Sequence, residues 1–180
     1  MNIVLIGMRG SGKSAIGKKI AEILSYNFFD LDAELTTRLN KNIEQVISEE
    51  GWGHFREEEA ITCESISHEK RAIIATGGGV ILNEKNMKNL KENGIIILLT
   101  CDIGILKNRL AKDHKNVKNR PALTDKNCES EIEHIWNQRK DLYHSHSNLT
   151  YDVSEESENS ADDITKKAHE IIELVKKHRK

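Results

Sequence analysis

The stretch NIVLIGMRGSGKSAIGKKIAEIL, residues 2–24, decides the fold. Asn2 to Ile6 form an apolar run of strand length, and AIGKKIAEIL (15–24) favours helix. Between them, Gly7-Met8-Arg9-Gly10-Ser11-Gly12-Lys13-Ser14 fits the pattern GxxxxGK[ST], in the strand-to-helix context that the pattern requires. Such glycines let backbone N–H groups turn toward a phosphate while the helix N-terminus adds partial positive charge. Lys13 then reaches the terminal phosphates and the Ser14 hydroxyl ligates Mg²⁺. A chance glycine-rich turn would need neither the strand before it nor the helix after it.

Outward from this stretch, apolar runs of strand length recur as NFF (27–29), AIIA (72–75), IIILL (95–99) and LTYDV (149–153). All but the last are continuous rather than alternating, as is residues 2–6. Continuous runs suit strands covered on both faces, and helix-like segments separate them, so the fold class is α/β with a parallel sheet and crossover helices. Helix signals support this: Asn83 precedes EKNMKNLKEN with Gly94 after it, and Ser160 precedes Ile164, Ala168, Ile171, Ile172 and Val175 at helical spacing. The acidic run EESENSADD (155–163) reads as a solvated loop leading into that last helix.

The bulk composition sets limits. A chain of 180 residues without repeats or a low-complexity linker reads as one domain, 1–180. Lys plus Arg number 27 against 29 Asp plus Glu, a net charge of −2, so nothing calls for nucleic acid or an anionic membrane, and any anion must be met locally. No run reaches the roughly 18 apolar residues of a membrane span. Cys63, Cys101 and Cys128 are odd in number and widely spaced, which argues against a disulfide framework and for a reducing, cytoplasmic setting. Cys63 and Cys101 read as small core residues. His144 and His146 lie two apart but lack a third ligand nearby, so they read as a polar helix end.

A phosphate cradle alone does not separate a switch GTPase, an ATPase and a kinase. Phe29-Asp30-Leu31-Asp32 adds two carboxylates at the end of the second strand, where ligands of parallel sheets bind. One can help hold magnesium waters and the other can bond an acceptor hydroxyl; for Asp30, a plain helix cap is the competing reading. Gly77-Gly78-Gly79 directly after AIIA makes sense where a ligand comes hard against the backbone. Arg56, in Phe55-Arg56-Glu57-Glu58-Glu59, is either one more surface charge or a bidentate grip on a substrate carboxylate. AKDHKNVKNRPALTDKN (111–127) holds the only proline, Pro121, and its Arg120 and lysines point to an anion-facing lid.

Taken together these motifs resemble the shikimate kinase family, small P-loop kinases that phosphorylate the 3-hydroxyl of shikimate with ATP. The resemblance runs through nearly the whole chain: the phosphate loop at 7–14, Asp30 and Asp32, Phe55-Arg56 with Glu59, Gly77 to Gly79, Arg120-Pro121, and Arg139 with Tyr143. It implies a three-layer α/β/α fold with five parallel strands in the order 2-3-1-4-5, a substrate-binding helical region at about 32–60 and a lid at about 111–126. By the resemblance, Lys13, Asp32 and Arg120 are catalytic. Arg56, Gly77, Gly78, Gly79, Arg139 and Asp32 bind shikimate, and Gly10, Ser11, Gly12, Lys13, Ser14, Ala15, Arg109 and Arg120 bind ATP. Ser14 and Asp30 attend Mg²⁺. The implied product is shikimate 3-phosphate, in the chorismate route to aromatic amino acids, and the implied state is a monomer.

The sequence departs from the family pattern in four places. Thr36 stands where a glutamate usually supports the substrate arginine, with Glu34 displaced by two and Glu59 left to supply the support. Gly51-Trp52 replaces Gly-Glu, the lid reads Arg120-Pro121-Ala122-Leu123, and HSHSNLTYDV after Tyr143 lacks the usual Ala-Asp. Kinases of other polyol acids, such as gluconate, share the phosphate loop; the triple glycine and the pair Arg56 and Arg139 speak against them. A nucleotide-binding relative without turnover is opposed by the retention of Lys13, Asp32 and Arg120.

Overall fold

The structure, a computed structural model, describes residues 1–112, 128–155 and 160–179, with the side chains of residues 128–130 left aside. The elements follow in the order β1 (Asn2–Ile6), α1 (Lys13–Leu24), β2 (Asn27–Asp30), α2 (Leu31–Leu39), α3 (Ile43–Ser67), β3 (Ala72–Ala75), a 3₁₀ turn (Val80–Leu82), α4 (Glu84–Asn93), β4 (Gly94–Thr100), α5 (Ile103–Lys112), α6 (Cys128–His146), β5 (Leu149–Asp152) and α7 (Ser160–His178). The strands form one parallel sheet in the order β2-β3-β1-β4-β5. This is the expected α/β architecture and strand order.

The continuous apolar runs serve two cores at once, because successive side chains of a strand point to opposite faces. Val4, Ile6, Ile74, Ile96 and Leu98 pack with Ile66 of α3, Met87 and Leu90 of α4, and Ile132 and Ile135 of α6. Ile3, Leu5, Ile73, Ile95, Ile97 and Leu99 face the other way, onto Ile16 and Ile20 of α1 and Ala168, Ile171 and Ile172 of α7. A smaller cluster of Leu35, Val46 and Phe55 joins α2 to α3 and props up the region beside the sheet's carboxyl edge.

Helix ends obey the local signals. Asn83 caps α4 by accepting from the amides of Lys85 and Asn86, and Asn42 forms a capping box with Gln45 at the start of α3. Gly94 ends α4, as the sequence suggested, and is also the first residue of β4, in extended backbone. Its lack of a side chain matters for packing: a Cβ there would lie 2.8 Å from the Leu90 carbonyl oxygen and 2.9 Å from Val4 Cγ2. α3 is kinked at Gly51, whose φ of 85° no β-branched or bulky residue adopts comfortably.

Strand register sets the site. Leu5 pairs with Ala75, and Ala75 with Asp30. Two residues beyond these partners stand Gly7, Gly77 and Asp32, so three loops leave the sheet at one level and open onto one crevice. Thr76 ties the edge together, its amide and its hydroxyl both donating to the Leu5 carbonyl, at 3.2 and 3.0 Å.

Candidate active site

The phosphate loop occupies residues 7–12. Gly12 caps α1 with φ of 87°, a left-handed conformation that glycine adopts without strain. Lys13 is buried, and its ammonium donates to the carbonyls of Gly7 (2.9 Å) and Met8 (2.8 Å), so the loop is closed around its own cation. Arg109, expected among the ATP-binding residues, lies against this loop: its guanidinium donates to the carbonyls of Gly10 (3.4 Å) and Val153 (3.0 Å) and sits 3.5 Å from Cys101 Sγ. Gly10 is held near α5, where a Cβ would meet Leu110 at 3.2 Å.

For Asp30 the two competing readings prove compatible. Its Oδ1 caps α2, accepting from the amides of Asp32 (3.1 Å) and Ala33 (3.3 Å). Its Oδ2 accepts a 2.5 Å hydrogen bond from the Ser14 hydroxyl. One carboxylate therefore connects the first turn of α1 to the residue that carries the second carboxylate, Asp32. The Ser14 and Asp30 oxygens are exposed hard donors, and such a pair fits Mg²⁺, which binds through one or two protein oxygens plus water and phosphate.

Across the crevice lies an open pocket lined by Asp32, Arg56, Glu59, Gly77 to Gly79, Arg139 and Tyr143, and reaching Met8 and Arg9 of the phosphate loop. Phe55, Trp52, Ile43 and Ile47 give it an apolar wall. Arg56 is fixed from two sides. Its Nη1 donates to Glu59 Oε2 at 2.7 Å, and its guanidinium lies 5.0 Å from the Phe55 ring centroid and 5.5 Å from that of Trp52. Glu59 thus supplies the support that the family pattern assigns elsewhere, while the Thr36 hydroxyl turns back onto the Asp32 carbonyl at 2.8 Å. Trp52, in place of an acidic residue, contributes its ring face to the same cation.

Arg139 projects from α6 and donates to the Gly78 carbonyl at 3.3 Å. Tyr143, fully buried, donates to the same oxygen at 2.5 Å. Burial pushes the Tyr143 hydroxyl up to about 12, so it remains a neutral donor. Burial also pushes Arg139 down from its ordinary value, Tyr143 opposing and the neighbouring Arg56 adding to the shift. Glu59 is pushed up by burial, against the pull of Arg56 and Arg139 and with the help of Asp32. These influences show that both arginines and both carboxylates act on one small volume. Two cations held together against their mutual repulsion make a receptor for an anion.

The triple glycine has a reason beyond ligand approach. A Cβ on Gly77 would lie 2.7 Å from Asp32 Oδ1, and one on Gly79 would overlap the Arg56 guanidinium. The space is already taken by the protein's own charged groups. Of the residues expected from sequence, Lys13, Ser14, Asp30, Asp32, Arg56, Gly77 to Gly79 and Arg139 come together along one edge. Gly10, Ser11, Gly12 and Ala15 build the loop and helix start beside them, and Arg109 reaches that loop at the Gly10 carbonyl. Arg120 and most of the expected lid lie outside the described residues. Cys63 is fully buried with its thiol pushed up to about 12 by burial, in keeping with a core role.

Sequence reasoning missed Arg9, which lines the pocket and pairs with Glu131 at 3.1 Å. A signal was present: Glu131, Ile135, Arg139 and Tyr143 recur every four residues, one face of a helix.

Comparison with known proteins agrees with this geometry. The shikimate kinase family model matches residues 9–171. A shikimate kinase of Pelotomaculum thermopropionicum is 34% identical over 178 residues, covering 98% of this chain and 96% of the relative. The structure of an Acinetobacter baumannii shikimate kinase in complex with shikimate superposes with a TM-score of 0.85 at 29% identity, covering 97% of this chain and 92% of that one. A Bacteroides thetaiotaomicron shikimate kinase superposes with a TM-score of 0.86 at 26% identity, covering 98% of each chain. This chain belongs to the shikimate kinase family.

Proposed function

We propose that the chain transfers the γ-phosphoryl group of ATP to the 3-hydroxyl of shikimate, with the phosphate loop holding the nucleotide and the pocket beside it holding the ring acid. The observation that carries this reading is the meeting of Arg56, Arg139 and Asp32 in one pocket that adjoins the phosphate loop. The two guanidiniums grip the carboxylate; the Asp32 carboxylate, on the first turn of α2, takes the hydroxyl. Gly78 and Gly79 present backbone to the ring.

Phosphoryl transfer passes through a loose transition state, so catalysis is chiefly alignment and charge. Asp32 therefore orients the hydroxyl and need not be a strong base. Lys13 leaves the Gly7 and Met8 carbonyls to meet the terminal phosphates. Mg²⁺, held through Ser14 and Asp30, would neutralise phosphate charge when it enters with ATP. A cation on the transferring group is worth about 10³ to 10⁵ in rate, or roughly 4–7 kcal/mol, and Arg120 is assigned that role by the family resemblance. The chain acts as a single kinase domain, as a monomer, in the cytoplasm; among the described residues no helix is long and apolar enough to cross a membrane.

The test is ADP release with MgATP against a panel of shikimate, quinate, gluconate and nucleoside monophosphates. The reading predicts turnover with shikimate far above the rest. Turnover with gluconate alone, or binding without turnover, would replace it.

A further inference from the structure

Glu131, Ile135, Arg139 and Tyr143 form a single stripe along α6, and every member touches the acceptor pocket or the phosphate loop. Glu131 Oε2 accepts from Arg9 Nη2 at 3.1 Å. Ile135 lines the pocket. Arg139 and Tyr143 converge on the Gly78 carbonyl, and the Tyr143 hydroxyl also approaches Met8 Sδ at 3.8 Å. The Glu131 side chain is 1% exposed and that of Arg9 17%, so the pair sits largely out of water. Among the described residues Arg9 Nε is buried without a partner. A buried ion pair adds little to stability relative to apolar groups, yet removing one partner is costly, so its worth lies in fixing one arrangement.

We propose that Arg9 and Glu131 form a charge clamp that fixes α6 against the phosphate loop, so that Arg139 meets the acceptor carboxylate while the hydroxyl faces the phosphoryl group. Glu131 is a positioning residue. From Glu131 to Arg139 the helix rises about 12 Å, a stiff span that passes a shift at one end to the other. An error of about 1 Å in alignment can cost about a hundredfold in rate. The clamp also accounts for a charge at the third position of a loop whose remaining work is done by glycines, Lys13 and Ser14. It rests on the reading that Arg139 binds the carboxylate.

The experiment is steady-state kinetics of Glu131→Gln, Arg9→Met, their double variant, Arg9→Lys and Arg139→Ala, each well below its melting temperature. Glu131→Gln should raise the shikimate KM about tenfold and leave the ATP KM within about twofold. The double variant should be no worse than the poorer single, and Arg9→Lys, which keeps the charge, should recover part of the loss. If Glu131→Gln does not fold, Glu131→Asp, shorter by one methylene, should give a smaller rise in the same KM. Additive losses, or a fall in melting temperature with both KM values unchanged, would overturn the clamp. A shikimate KM raised by Arg139→Ala but not by Glu131→Gln removes the clamp alone; one untouched by Arg139→Ala removes the pocket reading as well.

Discussion

Gly79→Ala adds one methyl group and no charge, yet it should disable the acceptor pocket. Gly79 has φ of −106° and ψ of −1°, which alanine adopts, so the backbone is not strained. The new Cβ would overlap the Arg56 guanidinium, lying 2.7 Å from its Nη1. Arg56 cannot retreat without leaving Glu59, 2.7 Å away, or the Phe55 ring, 5.0 Å away. The guanidinium is the end of a long side chain, so the fold survives while the grip on the carboxylate is lost. Hydrogen bonds to charged groups contribute about 1.5–3 kcal/mol, which corresponds to a rise of roughly 10- to 150-fold in the shikimate KM. Arg56→Ala, removing the same group outright, sets the ceiling. Coupled ADP-release kinetics at saturating ATP measures the rise, and thermal unfolding should show little change. A shikimate KM unaltered by the methyl group would refute the placement of Arg56, and a raised ATP KM would move Gly79 to the nucleotide side.

Lys13→Met should lower kcat by orders of magnitude while circular dichroism shows the fold intact; an active variant would remove Lys13 from the mechanism. Asp30→Asn retains a side chain able to cap α2 but weakens the cation site, so the Mg²⁺ concentration for half-maximal rate should rise several-fold with stability nearly unchanged, whereas Asp30→Ala should also lose about 1 kcal/mol in denaturant unfolding. Equal stability in the two variants would contradict the capping role. Glu59, raised by burial, keeps a proton in the folded protein at pH values where the unfolded chain has released it, so its contribution to stability falls as pH rises through that window. Glu59→Gln should flatten the part of the stability profile just above the ordinary carboxylate range, and parallel profiles would count against the assignment.

The sheet was legible because buried parallel strands write themselves as unbroken apolar runs, and the five runs read from the sequence match β1 to β5 to within a residue or two. The phosphate loop was legible for a similar reason: its glycines, Lys13 and Ser14 are dictated by local geometry. What touches what was less visible, since contacts between residues far apart in the chain depend on strand register. Asp32 against Gly77 follows from Ala75 and Asp30 standing level, and Arg56 reaches Gly79 only through the packing of α3. That Gly94 also opens β4, packed closely against Leu90 and Val4, leaves no local trace. Glu131 escaped notice because one of three glutamates in CESEIE (128–133) reads as a surface charge until α6 is seen to lie against the phosphate loop.

A crystal structure of the chain with shikimate and a non-hydrolysable ATP analogue tests the central claim most directly. It should show the carboxylate between Arg56 and Arg139, with the 3-hydroxyl at Asp32 and turned toward the terminal phosphate at Lys13. Shikimate bound with its carboxylate away from both arginines, or with that hydroxyl directed away from the phosphate, would contradict the account.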